Sequence, residues 1–134
     1  KNSLENHAYL YTPLAHPVGA NLIESLLIIR YHQKRFYSSF KIINTDYGVN
    51  QDSTNTGQNI FLSYDDNRNE YGNKILQGLK TKQFISEIKA GYFINPKWNL
   101  VIEAGIKYWR ISTKNQSENS LFLLFGLKTR LINE

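Results

Sequence analysis

Residues 98–111 have the sequence WNLVIEAGIKYWRI, and this stretch decides the fold. Alternate positions fall into an apolar set and a mostly polar set. The apolar set comprises Trp98, Leu100, Ile102, Ala104, Ile106 and Tyr108. Alternation with a period of two predicts a β-strand with one apolar and one polar face. Because strands of soluble proteins are usually about five or six residues long, this strand is about twice the usual length.

The positions of the aromatic residues in this strand favour a membrane environment. Trp98 and Tyr108 lie at the two ends of its apolar set. At about 3.3 Å per residue and a tilt near 45°, they stand about 23 Å apart along a membrane normal, close to the apolar band of an outer-membrane barrel. A second strand repeats the alternation with Leu121, Leu123, Phe125, Leu127, Thr129 and Leu131 on one face. We therefore predict that residues 98–131 are the last hairpin of a transmembrane β-barrel.

The composition narrows the class of protein. The chain has 134 residues, sixteen Lys or Arg, eleven Asp or Glu and a formal net charge of +5, and its length suits one domain. The basic residues are scattered along the sequence, so nucleic acid is not expected as a partner. The absence of cysteine excludes disulfide frameworks and thiolate zinc sites. No apolar run approaches eighteen residues, so no transmembrane helix is predicted.

The segments before residue 98 carry weaker or more ambiguous signals. A weak strand signal at 8–11 is followed by a predicted loop at 13–21, which holds two prolines and a glycine. We favour a strand for residues 21–31, although a helix capped by Asn21 explains their apolar density about as well. Clear alternation predicts two more strands, at 35–45 and 82–94.

The connections between the predicted strands alternate in length. Residues 46–81 form a long segment rich in Asn, Gln, Asp, Gly and Ser, and loops of that length are usually functional or disordered. The turns near 32–34 and 95–97 are short, whereas 46–81 and 112–119 are longer. Outer-membrane barrels have short periplasmic turns and long extracellular loops. We therefore predict that 46–81 is extracellular and that the C-terminus lies in the periplasm.

The number of strands gives a further constraint. Residues 1–134 are predicted to be a single all-β segment that contributes about five or six antiparallel up-and-down strands, whereas a membrane barrel has at least about eight. An open edge in lipid would leave backbone groups unpaired, at a cost of several kcal/mol each. Either further strands exist outside this sequence, which is the alternative that we favour, or the chain is not a membrane barrel.

Three segments resemble a known family: PLAHPVGAN at 13–21, GQNIFLSYDD at 57–66 and NEYGNKILQG at 69–78. They are similar to the C-terminal part of Bacteroidota outer-membrane proteins of the gliding-motility RemB-like kind, which are related to the Wzi-type capsule-assembly barrels. The resemblance implies a larger barrel and a role at the cell surface, in motility or in the attachment of surface polysaccharide. One departure is the tail, which ends at Glu134, whereas many outer-membrane proteins end on an aromatic residue.

The candidate site residues fall into three groups. A cluster in the long loop could bind a sugar or a cation, although a solvated loop tip is the simpler interpretation: Asp65, Asp66, Asn67 and Arg68. Four charged residues are expected to face the barrel lumen, where pairing with one another is the simplest expectation: Glu87, Lys89, Glu103 and Lys107. Three aromatic residues are expected at the membrane interfaces: Tyr92, Trp98 and Tyr108.

The sequence carries no signal for catalysis, a metal or a cofactor. His7, His16 and His32 share no metal-ligand spacing, and nucleophile-elbow and nucleotide-binding motifs are absent. We therefore expect a non-enzymatic outer-membrane protein of the bacterial cell surface. Its expected partners are outer-membrane lipid and either a surface polysaccharide or a surface or motility protein complex. The alternative is a soluble lipocalin-like or β-sandwich ligand-binding protein, which would need no detergent to stay in solution.

Overall fold

A computed structural model of the chain describes residues 8–9, 12–13, 16, 18–50, 55–61 and 71–129. The described chain is all-β. Its strands are β1 (Ala8–Tyr9), β2 (Thr12–Pro13), β3 (Leu22–Gln33), β4 (Phe36–Val49), β5 (Leu79–Asn95), β6 (Leu100–Ser112) and β7 (Ser117–Lys128). Within the described residues, no helix has the length and apolar character needed to cross a membrane.

The five long strands form one antiparallel up-and-down sheet. Its order is β3-β4-β5-β6-β7, so each strand pairs with its neighbours along the chain. In the described part of the chain, β3 and β7 are the two edges. The strands contain between 12 and 17 residues, more than twice the length usual in soluble proteins. The prediction of long antiparallel up-and-down strands is confirmed. Exposure alternates most clearly along β5 and β6, whereas nearly every residue of the edge strand β3 is exposed.

The short strands at the start of the chain form a separate two-stranded sheet. Ala8 pairs with Pro13, and Tyr9 pairs with Thr12. The predicted strand signal at 8–11 falls in part on β1, and Pro13, which was predicted to lie in a loop, belongs to β2. Residues 10–11, 14–15 and 17 lie outside the described residues. Proline in a two-residue strand removes only one ladder donor, which a short edge tolerates.

Residues 21–31 adopt the strand that we favoured, and the alternative of a helix capped by Asn21 is wrong. The strand β3 runs from Leu22 to Gln33, and Asn21 has a left-handed φ of 61°. A two-residue turn, 34–35, then leads directly into β4, with Lys34 also left-handed at φ 52°. Pairing with β4 supplies backbone partners for this segment. Tertiary context therefore decides between strand and helix, which the local sequence pattern could not do.

The turn between β5 and β6 corrects the start of the opening stretch. Trp98 belongs to a 3-10 helix, Pro96–Trp98, and not to β6. The Asn95 side chain accepts a hydrogen bond from the Lys97 amide at 3.0 Å, and Asn99 is left-handed at φ 49°. Because of this capped turn, β6 begins only at Leu100. Trp98 therefore does not lie at the end of the apolar set of β6, as was predicted.

The other connections are shorter than expected. Because β4 continues to Val49 and β5 begins at Leu79, the long polar connection is 50–78 and not 46–81. The connection expected at 112–119 is the four-residue turn 113–116. In this turn the Thr113 amide donates to the Gln116 carbonyl oxygen at 2.8 Å. Thr129 lies beyond β7 and donates from its hydroxyl to the Trp98 carbonyl oxygen at 3.0 Å, and Leu131 lies outside the described residues.

By packing, the chain divides into two compact units that share the long strands. The loop unit comprises Lys1–Glu24, Thr45–Lys82 and Ser112–Ser117, and it contains the long connection. The turn unit comprises Ser25–Asn44, Gln83–Ile111 and Glu118–Glu134, and it contains the turns 34–35 and 96–99. Among the described apolar residues, only Tyr47 in the loop unit and Val101 in the turn unit are buried.

Candidate functional site

In the middle of β5 and β6, the turn unit exposes apolar side chains and shelters charged ones. On β5, Ile88 is 54 % exposed, whereas the neighbouring Glu87 side chain is only 13 % exposed. The same holds on β6, where Ile106 is exposed and Lys107 is half-buried. A soluble strand with one buried face would show the reverse pattern. The apolar set is therefore the outward face of these strands.

Charged and hydroxyl groups pair with one another on the sheltered face of the turn unit. The Lys89 ammonium lies 3.0 Å from the Glu87 carboxylate, and the Lys41 ammonium of the neighbouring strand lies 3.9 Å from the same oxygen. The Tyr37 hydroxyl donates a hydrogen bond to the Glu103 carboxylate at 2.5 Å. These contacts give each half-buried carboxylate a partner, as charge burial requires.

The structure places the four predicted lumen residues on one face but pairs them differently from the simplest expectation. Glu87 is joined to Lys89 along its own strand and to Lys41 across strands. Glu103 is joined to a tyrosine. Lys107 has no ion-pair partner among the described residues, and it is half-buried on the same alternate set of β6 as Glu103.

A glycine makes room for the tyrosine in this cluster. The ring of Tyr37 lies directly over Gly91 on β5, so that a side chain at residue 91 would overlap the ring. The Phe93 ring lies beside it, with centroids 5.7 Å apart, and also meets the edge of the His32 ring at 6.1 Å. Sequence reasoning missed Tyr37 and Lys41, because their partners lie far away along the chain. The alternation of β4 was the available signal, since it puts both on the set opposite Phe36.

A pocket of about 330 Å³ opens on the sheltered face next to these rings. Its walls are aromatic and aliphatic, with a carboxylate, an ammonium group and an amide. The lining residues are His32, Tyr37, Phe93, Asn99, Val101, Glu103 and Lys128. Aromatic faces combined with a few polar groups suit a small polar ligand such as a saccharide. The Glu103 carboxylate is already engaged by Tyr37, which leaves Lys128 and Asn99 as the freer polar groups of the pocket.

In the loop unit, one asparagine joins the start of β3 and the end of β4 to the end of the long connection. The Asn21 amide group donates to the carbonyl oxygens of Gly48 at 3.3 Å and Gln77 at 2.8 Å. Its side-chain oxygen accepts from the Leu76 amide at 2.6 Å. The Gly48 amide in turn donates to the Asn21 carbonyl oxygen at 3.1 Å. Asparagine tolerates the left-handed backbone found at residue 21 better than most residues do.

A second set of bonds folds the start of the long connection onto the same place. The Asn50 side-chain oxygen accepts from the Thr56 amide at 2.9 Å and from its hydroxyl at 2.7 Å. The Gln58 side chain accepts from the Asn50 amide at 3.1 Å, and the Gln58 carbonyl oxygen accepts from the Ala20 amide at 3.1 Å. The three segments on which the family resemblance rests therefore meet in one cluster, through Ala20 and Asn21, Gln58, and Leu76 and Gln77.

Replacing Asn21 by Ala should release the described end of the long connection. The change removes three side-chain hydrogen bonds and leaves the Leu76 amide without its acceptor, at a cost of about 1–3 kcal/mol, and it puts alanine in a left-handed conformation. We expect faster amide hydrogen exchange at 71–78, measured by mass spectrometry. Asn115→Ala, in the exposed turn after β6, is the matched control and should leave exchange at 71–78 unchanged. Equal exchange in the two variants would contradict the role given to Asn21.

The remaining predicted residues are placed as follows. Asp65, Asp66, Asn67 and Arg68 lie outside the described residues. Tyr92 and Trp98 are exposed, whereas Tyr108 is half-buried and its ring lies 6.3 Å from the Phe84 ring.

The described residues form no cluster of three or more His, Cys, Asp or Glu that could hold a metal ion. His16 contacts Glu24 at 3.2 Å, and His32 packs on Phe93, so each takes part in ordinary packing; His7 lies outside the described residues. Comparison with known proteins finds no family model, no curated protein and no solved structure that matches this chain.

Proposed function

We propose that this chain forms part of the wall of a β-barrel in the bacterial outer membrane, with the outward apolar face against lipid. The observation that carries the proposal is the exposure of that face in the turn unit. Its exposed members are Leu27, Ile29, Tyr31, Phe84, Ile88, Tyr92, Ile94, Ile106, Leu121, Leu123, Phe125 and Leu127. A continuous apolar surface of this kind needs an apolar neighbour, since water would drive it to aggregate.

The dimensions of the outward face fit a bilayer. Along β5 its members run from Phe84 to Ile94 and are preceded on the same set by Lys80 and Lys82. Ten steps of about 3.3 Å at a tilt near 45° give about 23 Å along the membrane normal, which matches the roughly 25 Å apolar band of outer-membrane barrels. The apolar run ends at these two lysines, as expected for a strand that passes from the lipid chains to the headgroups.

The open edges of the sheet support a larger barrel. The outer edges of β3 and β7 have no partner among the described residues. In lipid such edges must be paired, since water cannot reach their backbone groups. We therefore propose that further strands pair with β3 and β7 and close the wall.

The proposed role at the cell surface is non-enzymatic. The connection 50–78 would lie outside the cell and would bind surface polysaccharide or a protein of a surface or motility complex. Two features support this role: the polar composition of 50–78 and the resemblance of three segments to the RemB-like and Wzi-type barrels. The turns 34–35 and 96–99 and the C-terminus would lie in the periplasm.

The proposal is tested by membrane retention and by protease access in cells that produce the protein. Tyr71 and Trp98 are a matched pair of aromatic residues, 85 % and 72 % exposed. Chymotrypsin added to intact cells should cut after Tyr71 and spare Trp98, and permeabilising the outer membrane should allow cleavage at both. The protein should also stay in the membrane after an alkaline wash.

Two results would contradict this proposal in different ways. Cleavage at Trp98 with protection of Tyr71 would invert the topology. Release of a monodisperse protein into buffer without detergent would favour the soluble ligand-binding alternative, for which the pocket beside Tyr37 would be the binding site.

A further inference from the structure

We infer that the loop unit carries a binding site for the phosphate group of a phosphorylated saccharide, as presented by the headgroup of an outer-leaflet lipid. The site is a pocket of about 550 Å³ with three lysines in its wall. Its lining residues are Gly78, Leu79, Lys80, Lys82, Ser112, Thr113 and Lys114. The inference rests on the proposed function for the source of the ligand but not for its chemistry.

The charge of this pocket is mostly uncompensated. Among the described residues, Lys80 pairs only with Asp46. Their 3.9 Å separation is the long limit for an ion pair, and such a pair contributes little at a surface. Within the described residues, Lys82 and Lys114 have no acidic partner, and both are exposed. Three ammonium groups beside one carboxylate leave a net positive concavity, which attracts an anion.

The backbone positions the three lysines in the wall of the pocket. Thr81, between Lys80 and Lys82, is buried, and alternation along β5 sends its two lysine neighbours to the opposite face. Lys114 is held by the turn 113–116, in which the amide and the hydroxyl of Thr113 both meet the Gln116 carbonyl oxygen, at 2.8 and 3.2 Å. The arrangement is thus set by a strand and a bonded turn.

The other groups of the wall indicate what carries the anion. Ser112 offers a hydroxyl, the Thr113 hydroxyl can still accept a hydrogen bond while it donates to Gln116, and Gly78 and Leu79 also line the pocket. Hydroxyls and backbone groups suit a sugar, while the lysines suit its phosphate. The volume lies within the range of ordinary ligand sites, so a phosphorylated sugar unit fits where a bare ion would leave most of the space empty.

The position of the pocket along β5 indicates the source of this ligand. Lys80 and Lys82 belong to the same alternate set as Phe84 and Ile88, the set proposed to face lipid, and they precede it immediately. Basic residues at the edge of an apolar band lie at headgroup level, where anionic lipid attracts each of them. A phosphorylated lipid headgroup would therefore reach the site from the side, whereas a soluble sugar phosphate would reach it from water.

The test compares two triple variants of the full-length protein in phosphatidylcholine nanodiscs. K80Q/K82Q/K114Q removes the pocket lysines, and K34Q/R35Q/K97Q removes the same charge from exposed residues of the two turns. The nanodiscs contain lipid A, dephosphorylated lipid A or neither, and bound lipid A is counted by native mass spectrometry. We expect the pocket variant to lose about a hundredfold in affinity for lipid A, the turn variant less than about twofold, and dephosphorylated lipid A to bind neither protein tightly.

Separate outcomes overturn separate parts of the inference. Equal losses in the two variants, or equal binding of both forms of lipid A, would show that no phosphate site exists in this pocket. Glucosamine phosphate that displaces lipid A at equal concentration would make a soluble sugar phosphate the ligand and overturn the lipid source. A protein that fails to enter nanodiscs would overturn the proposed function. If a protein that does not enter nanodiscs still bound glucosamine phosphate in buffer, and only the pocket variant lost this binding, the phosphate site would still be supported.

Discussion

Replacing Phe125 by Arg should destabilise the membrane-inserted protein by about 2–4 kcal/mol, the cost of Arg on the lipid face near the bilayer midplane. Phe125 lies in β7 on the outward set and is 79 % exposed. In the proposed orientation its ring contacts lipid chains only. An arginine there would have to leave its guanidinium in hydrocarbon or distort the strand to reach the headgroups. The effect is measured as a shift in the urea concentration at which the protein unfolds in lipid vesicles.

The matched control is Leu124→Arg, one residue earlier in the same strand. Leu124 is on the opposite set and is 39 % exposed. The same arginine at this position would face the lumen, where water reaches it, so the unfolding midpoint should move far less. Lys128→Gln, on the same set as Leu124, should also have a small effect. Equal losses for Phe125→Arg and Leu124→Arg would refute the assignment of faces in β7.

Replacing Gly48 by Ala should strongly destabilise the loop unit. A side chain at this residue would overlap the carbonyl oxygen of Gln77, which is backbone and cannot turn aside, and would crowd the amide nitrogen of Asn21. Either β4 or the end of the long connection must shift, and both are joined through Asn21. Overpacking of this kind costs about 1–3 kcal/mol, and the Asn21 hydrogen bonds are lost in addition. We expect the free energy of unfolding, measured at equilibrium, to fall by about 3 kcal/mol.

Gly126→Ala is the control for this change, because Gly126 is also a strand glycine. Apart from its two chain neighbours, no atom of the described residues lies within 4 Å of a Cβ built at residue 126. Alanine there should be neutral or should stabilise the strand by up to about 1 kcal/mol, since glycine loses more conformational freedom on folding. If both glycine variants unfolded like the unaltered protein, the close approach of β4 to Gln77 would be wrong.

The strands could be predicted because their signal is local. Ile88, Ile102 and Leu123 repeat at a spacing of two within their own segments, and that spacing fixes both the strand and its outward face. The same alternation put Glu87 and Glu103 on the sheltered face. What alternation could not supply was the identity of their partners, since Tyr37 comes from a strand far away in the sequence.

The loop unit was harder to predict because its organising contacts span the chain. Asn21 meets partners 27 and 56 residues away, and nothing around residue 21 distinguishes it from a helix cap. Trp98 was assigned to a strand because alternation continues through it, although the Asn95-Pro96 capped turn ends before Leu100. The predicted boundaries of the long connection were too wide because the polar residues Asp46 and Thr81, which suggested a loop, lie inside strands.

The strand order of the main sheet has a consequence for how the chain folds. Every pairing joins strands that are neighbours in sequence, so the sheet can grow by adding one strand at a time to an existing edge. The steps are unequal, however. Closing the connection 50–78 costs about 2 kcal/mol more chain entropy than closing the two-residue turn 34–35. The hairpins β3–β4, β5–β6 and β6–β7 should therefore form early, and the pairing of β4 with β5 should limit the rate.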